Sequence, residues 1–380
     1  MEVFNSMGPR ERLLTCLTHK EPDKVPLDLG GSTTTIETIA YNNLKRYLNI
    51  NKVTRNFLRD HVLPDEEILK LFNIDTRYLH PQPPKGWKRK YEKGKSSVDE
   101  WGITWEKPES SLYYEPVGHP LENATIDDLD RYNWPNTSDP GRVEGLNEKA
   151  KYLYEKTNYA IIADMHGLGV FETSWMLRGF AKFLEDLLIN KEFAWTLLEI
   201  VTDLKIQLYH QYLKSVGKYI QVVMTADDVS MENSLIISPE LYREMIKPFH
   251  KKLWHSIKND TYAYLFLHSC GSVYELITDF IDLGVDILNP VQTTAKNMEP
   301  KKLKEQFGDK ISFWGGIDTR YILPNGTMKE IEEEVRHKIQ ELAPGGGYVL
   351  CAVHNIQADV RAENIVKMYN CANKYGVYGT

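Results

Sequence analysis

"YAYLFLHSCG" (residues 262–271) is apolar at nearly every position until it ends in His268, Ser269, Cys270 and Gly271. A run this short and this continuously apolar reads as a strand buried on both faces, as strands are in a parallel sheet covered by helices. Helical periodicity flanks it at 238–258, with Ser238 as N-cap and Pro239 in the first turn, and at 273–283. The same rhythm recurs at "VPLDLGG" (25–31), "DTRYLHP" (75–81), "YAIIADMHG" (159–167), "YIQVVMTADD" (219–228), "DILNPV" (286–291), "ISFWGGID" (311–318) and "GYVLCAVHN" (347–355). Further helices are expected at 193–216, 328–342 and 361–375. Eight strands alternating with helices predict an α/β TIM (β/α)8 barrel, formed by residues 1–380 as one domain.

Two additions are expected. The amphipathic segment "PRERLLTCLTH" (9–19) is an N-terminal helical extension, and 82–150 is an insertion near the barrel mouth. Within it, "EWGITWEKPESSLYYEPV" (100–117) reads as a β-hairpin of two aromatic-rich runs around a turn, followed by the loop "YNWPNTSDPGR" (132–142).

With 42% hydrophobic residues, the chain has ample material for a large core. A formal charge of −7, with Lys and Arg scattered, argues against nucleic acid as a partner. The N-terminal stretch carries charges through its apolar patch, and no run approaches the ~18 apolar residues that a spanning helix requires. A cytoplasmic protein with no membrane partner is expected. Its four cysteines show no disulfide framework, so free or metal-bound thiols are the better reading.

Barrel enzymes carry their chemistry at the C-terminal ends of strands. Polar residues collect there: Asp28, Asp164, His166, Asp227, Asp228, His268, Cys270, Asn289, Asp318, Cys351, His354 and Asn355. Any one of them alone reads equally as a turn or cap residue. His268 and Cys270 lie two apart and so share one face of a strand, which supplies two metal donors. An open zinc site needs a third, and Cys351 is the candidate, although a buried cysteine is also an ordinary core residue. Cys16 and Cys371 read as core. The "APGGGY" segment (343–348) reads as a turn in preference to a phosphate cradle.

Taken together, "RERLLTCLTHKEPDKVPLDLGG", "SPELYREMIKPFHKKL", "HSCGSVYELI", "GVDILNPVQ", "FWGGIDT" and "GGGYVLCAVHNIQADV" resemble the uroporphyrinogen decarboxylase superfamily over nearly the whole chain. That superfamily is built on a TIM barrel and joins porphyrin decarboxylases to methyltransferases that work with corrinoid proteins. Its decarboxylases carry an arginine-rich segment after the first strand. Here "LDLGGSTTTIETI" (27–39) has no Arg, which disfavours a polyacid substrate. The methyltransferase branch is marked by a zinc set of His-x-Cys plus a later Cys, and the resemblance implies His268, Cys270 and Cys351 for it.

The resemblance also implies zinc (Zn2+) in this chain and a corrinoid (cobalamin) carried by a separate partner protein. The small-molecule partner is either a methyl donor or a thiol acceptor. Two thiolates and a histidine fit thiol methylation, the coenzyme M type, slightly better. The inserted hairpin, with Trp101, Trp105, Tyr113 and Tyr114 as aromatic walls, leans toward O-demethylation of a methoxylated aromatic compound, and that reading is preferred. In it Asp227 or Asp228 steers the ring or protonates the leaving group, and His354 or Asn355 donates a hydrogen bond. Asp28, His166 and Asn289 complete the expected substrate wall. A decarboxylase-like activity and a non-enzymatic relative are the rival readings. The sequence leaves the oligomeric state open, with a homodimer as one expectation.

Overall fold

Seven parallel strands form one sheet, each hydrogen-bonded to its neighbours in chain order: Thr76–Leu79, Ala160–Ala163, Val222–Ala226, Tyr264–His268, Ile287–Asn289, Ser312–Ile317 and Tyr348–Ala352. The computed structural model describes residues 6–87, 96–109 and 111–379. The eighth expected strand, 25–31, is not regular, yet it closes the ring. Leu350 N donates to Pro26 O and Asp28 N to Leu350 O on one side, and Asp75 N donates to Leu27 O on the other. Pro26 has no N–H to give a ladder, and Leu27 N is taken by the Asp75 carboxylate (2.8 Å), so only a single bridge survives. The expected barrel is therefore present.

The period-two alternation sorts the strand residues into two layers. Tyr78, Ile162, Met224, Phe266, Trp314, Val349 and Cys351 pack together inside the ring, while Ile161, Val223, Leu265, Leu267, Leu288 and Phe313 face the helices. Leu13, Cys16 and Leu17 of the N-terminal helix Pro9–Leu17 join the inner group and plug the barrel floor. The Gly triplet lies at that same end, where Gly347 N donates to Cys16 O (2.8 Å), so it is a turn.

Helix Lys191–Val216 forms as expected, but 238–258 divides into Pro239–Met245 and Lys247–Asp260. Pro248 cannot donate to the preceding turn and starts a new helix. Ser238 caps the first piece, its side chain accepting from Leu241 N. Around the expected hairpin, Ser97–Val98, Thr104–Glu106 and Glu115–Gly118 make a three-stranded antiparallel sheet. The second aromatic run, 112–114, precedes its strand and lies off the ladder. Residues 88–95 and 110 of the expected insertion lie outside the described residues. A further hairpin, Arg55–Leu58 with His61–Leu63, had no sequence signal. Among the described residues no helix is long and apolar enough to cross a membrane.

Candidate functional site

A cavity of about 420 Å³ opens at the C-terminal ends of the strands. Ala226, Asp228, His268, His354 and residues 165–168 supply the barrel side, and Trp101, Ile103, Trp105 and residues 112–114 the other. His268 is the last residue of its strand and pairs in register with Asn289 and Ala226. Its Nδ1 lies 2.5 Å from Asn289 Oδ1, and Asn289 Nδ2 donates to Trp314 O (2.8 Å). The amide is thereby oriented with oxygen toward the ring, so Nδ1 carries the proton and Nε2 offers a lone pair.

That lone pair points at Cys270, whose Sγ is 3.3 Å from His268 Nε2. The loop is fixed on both sides of the cysteine. Cys270 N donates to Asp228 Oδ1 (2.7 Å), and Ser230 Oγ donates to Cys270 O (2.6 Å). Gly271, at φ +89°, lets the chain turn where a Cβ would meet Met231 O at 2.5 Å. His354 offers a possible third donor. One donor atom each from His268, Cys270 and His354 lies within 4.8 Å of the others. His354 Nδ1 is buried without a hydrogen-bond partner among the described residues, and Tyr113 packs edge-on against its ring at 5.8 Å.

The electrostatics suit a cation. Burial, then Asp228 and Glu172, push the Cys270 thiol well up, so a thiolate there needs a positive charge beside it. Burial lowers His354 to about 3, which keeps it a neutral donor. Burial likewise raises Asp228.

Several expected site residues are placed elsewhere. Cys351 is not in the donor group: it faces the barrel core beside Trp314, and its Sγ lies 3.3 Å from Ala352 O. The strand ends one residue later, at Ala352, and His354 stands in the bend beyond it, at the rim. Asp227 has its carboxylate occupied by Phe171 N (2.8 Å), Glu172 N (2.9 Å) and His250 Nε2 (2.8 Å), anchoring the start of helix Val170–Arg178. Asp28 is fully buried and accepts from Thr76 Oγ1, Tyr78 OH and Trp314 Nε1. Asn355 ties Thr35 N, Ser32 O and His61 together. None of these four lines the cavity, whereas Asp228, His166, Trp101 and Tyr113 do. Asn289 does not line the cavity either and instead meets His268 Nδ1.

Sequence reading missed Lys205, Glu172 and His61, all on the cavity wall. Lys205 did leave a signal, because it interrupts the apolar stripe Leu198, Val201, Leu208, Tyr212 of its helix. Glu172 and His61 gave none.

A closed ring of parallel strands with a cavity and a His/Cys donor cluster at its C-terminal rim defines an α/β barrel of the enzyme-bearing kind. The family model for uroporphyrinogen decarboxylase (URO-D) matches residues 112–375, and the chain belongs to that family. It is 27% identical over 148 residues to the methylcobamide:CoM methyltransferase MtaA of Methanosarcina barkeri, covering 38% of this chain and 41% of that protein. To a methylated-thiol–coenzyme M methyltransferase of Methanosarcina mazei it is 25% identical over 150 residues, 40% of this chain and 37% of the other. The matches thus span about two fifths of those relatives' length. A solved methyltransferase from Methanosarcina mazei superposes with a TM-score of 0.65 at 20% identity, covering 97% of this chain and 99% of that one, which supports the fold.

Proposed function

We propose that this chain is a zinc-dependent methyltransferase that works with a corrinoid protein and takes its methyl group from a methoxylated aromatic compound. The observation that carries the reading is the donor set: one thiol, Cys270, grouped with two histidines, His268 and His354, and the two histidines line an aromatic-sided cavity. Zinc held by one thiolate and two neutral imidazoles keeps a net positive charge and supplies Lewis acidity at an ether oxygen.

The chain's own residues do the rest. Asn289 holds His268 in the tautomer that presents Nε2. Asp228, a carboxyl raised by burial, is the proton source for the departing phenolate. Trp101, Trp105 and Tyr113 flank the ring and exclude water. Residues 27–39, of which Ser32 and Thr33 line the cavity, carry no arginine to hold a polyacid, which speaks against decarboxylation of a tetrapyrrole.

The names of the relatives favour a second reading, methyl transfer to a thiol such as coenzyme M. A methylation assay separates the two. With zinc-loaded protein and cob(I)alamin, methoxybenzenes should yield methylcobalamin, and Cys270→Ser should lose zinc and activity together. Methylation of a thiol by methylcobalamin, with no reaction from any methoxyarene, would replace the first reading by the second.

A further inference from the structure

Lys205 lies on the buried face of helix Lys191–Val216, and its side chain lines the cavity at 2% exposure. Its Nζ donates to Leu168 O (2.5 Å) and sits 5.0 Å from the centroid of the Trp101 ring. Among the described residues no carboxylate lies within ion-pair distance of it. Elsewhere the chain closes its buried cations. Arg12 meets Asp23 and Asp75, Arg178 meets Asp186, and Arg142 meets Glu100. Lys45, also buried, has Lys52 O and Thr54 Oγ1 at 2.6 Å each and lines no part of this cavity.

The acids near Lys205 are poor counter-charges. Asp99 accepts from Trp101 N, Ile103 N and Trp105 Nε1, and Glu100 is held by Arg142. Burial, with Asp228 and Asp227 alongside, pushes the Glu172 carboxyl far up, toward its neutral form. Burial brings Lys205 down to about 8, which leaves it protonated at neutral pH. Gly167 borders the ammonium: at φ +75°, a Cβ there would meet only Lys205 Nζ, at 3.7 Å, so glycine leaves that side of the cation unobstructed.

We propose that Lys205 is an anion-binding residue of this cavity, whose wall also carries Arg59 over the Trp105 ring, and that it holds the carboxylate or sulfonate of an organic anion whose other end reaches the His268, Cys270 and His354 donors. A desolvated ammonium with one acceptor gains most from a charged ligand, because a charge-assisted hydrogen bond is worth most where water is excluded. The immediate neighbours of Lys205 are Gly167, Leu168 and Trp101, whereas those of the donor cluster are Asn289, Asp228 and Tyr113. The ligand would touch both groups, and Glu172 lines the cavity with Lys205, His268 and His354. This inference rests on the reading of the cluster as the reacting end, and it narrows the substrate to acids such as methoxybenzoates or to sulfonate-bearing thiols.

Binding to the zinc-loaded protein tests it without turnover. Titration calorimetry would compare 4-methoxybenzoate with 4-methoxybenzamide, and 2-mercaptoethanesulfonate with 2-mercaptoethanol. We expect the anion of one pair to bind about tenfold tighter than its neutral partner, and this preference to fall to within about threefold in Lys205→Met and Lys205→Gln, with zinc content unchanged. The pair that carries the preference identifies carboxylate or sulfonate as the recognised group. No preference in either pair, or a preference that survives in whichever variant folds, overturns the proposal. Failure of the methyl-transfer reading would register separately, as absent methylation with the charge preference intact.

Discussion

His268 is useful as a donor because Asn289 and Trp314 O fix which nitrogen bears its proton. That pair was half legible. His-x-Cys on one strand face could be read from spacing, but the partner that sets the tautomer lies on the neighbouring strand and becomes visible only in register. Alternation predicts which way Cys351 faces, not how far up the barrel it stands, and it packs in the inner layer while His354 lies beside His268 and Cys270. His166 carries a prediction of its own. Burial lowers it to about 3, so the folded chain refuses a proton that the unfolded chain accepts below about 6.5. Between those values the unfolded state binds more protons, so this group's contribution to stability falls as pH falls. Urea titrations from pH 6.5 to 4.5 should show His166→Gln gaining on the parent protein by up to ~1.4 kcal/mol per pH unit. A difference that does not change with pH would mean that the buried histidine is already charged.

The elements were read well where a buried strand or long amphipathic helix left an unbroken period. They were read less well where side chains replace backbone partners. Residues 25–31 were expected as a strand and close the ring through backbone bonds to Leu350 and Asp75, but the Asp75 carboxylate, held in turn by Arg12 at 2.5 Å, takes Leu27 N from the ladder. Arg12 therefore joins the floor helix to the barrel seam. Arg12→Met should destabilise the fold by about 3–5 kcal/mol, since it strands a buried carboxylate, and adding Asp75→Asn should recover part of that loss. Chemical denaturation of the single and double variants measures this, and a loss under about 1 kcal/mol would remove the seam role. The break at Pro248 and the shift of residues 112–114 off their ladder have equally local causes, a missing N–H and a late strand start.

At the scale of the whole molecule, the barrel brings together residues that sequence distance hides: His61 from a small hairpin, Trp101 from the inserted sheet, Lys205 from a helix, His354 from beyond the last strand. The fold class was legible because eight repeats of one pattern reinforce each other. The cavity was only partly legible, because much of its wall is assembled from loops and from two helix faces, of which one left a hint in the charged interruption at Lys205. The central claim is that His354, not Cys351, completes the donor set with His268 and Cys270. Elemental analysis of zinc in the purified parent protein, Cys351→Ala and His354→Ala tests it most directly. We predict about one zinc per chain in the parent and in Cys351→Ala, and little in His354→Ala. Zinc lost from Cys351→Ala and kept by His354→Ala would contradict the account.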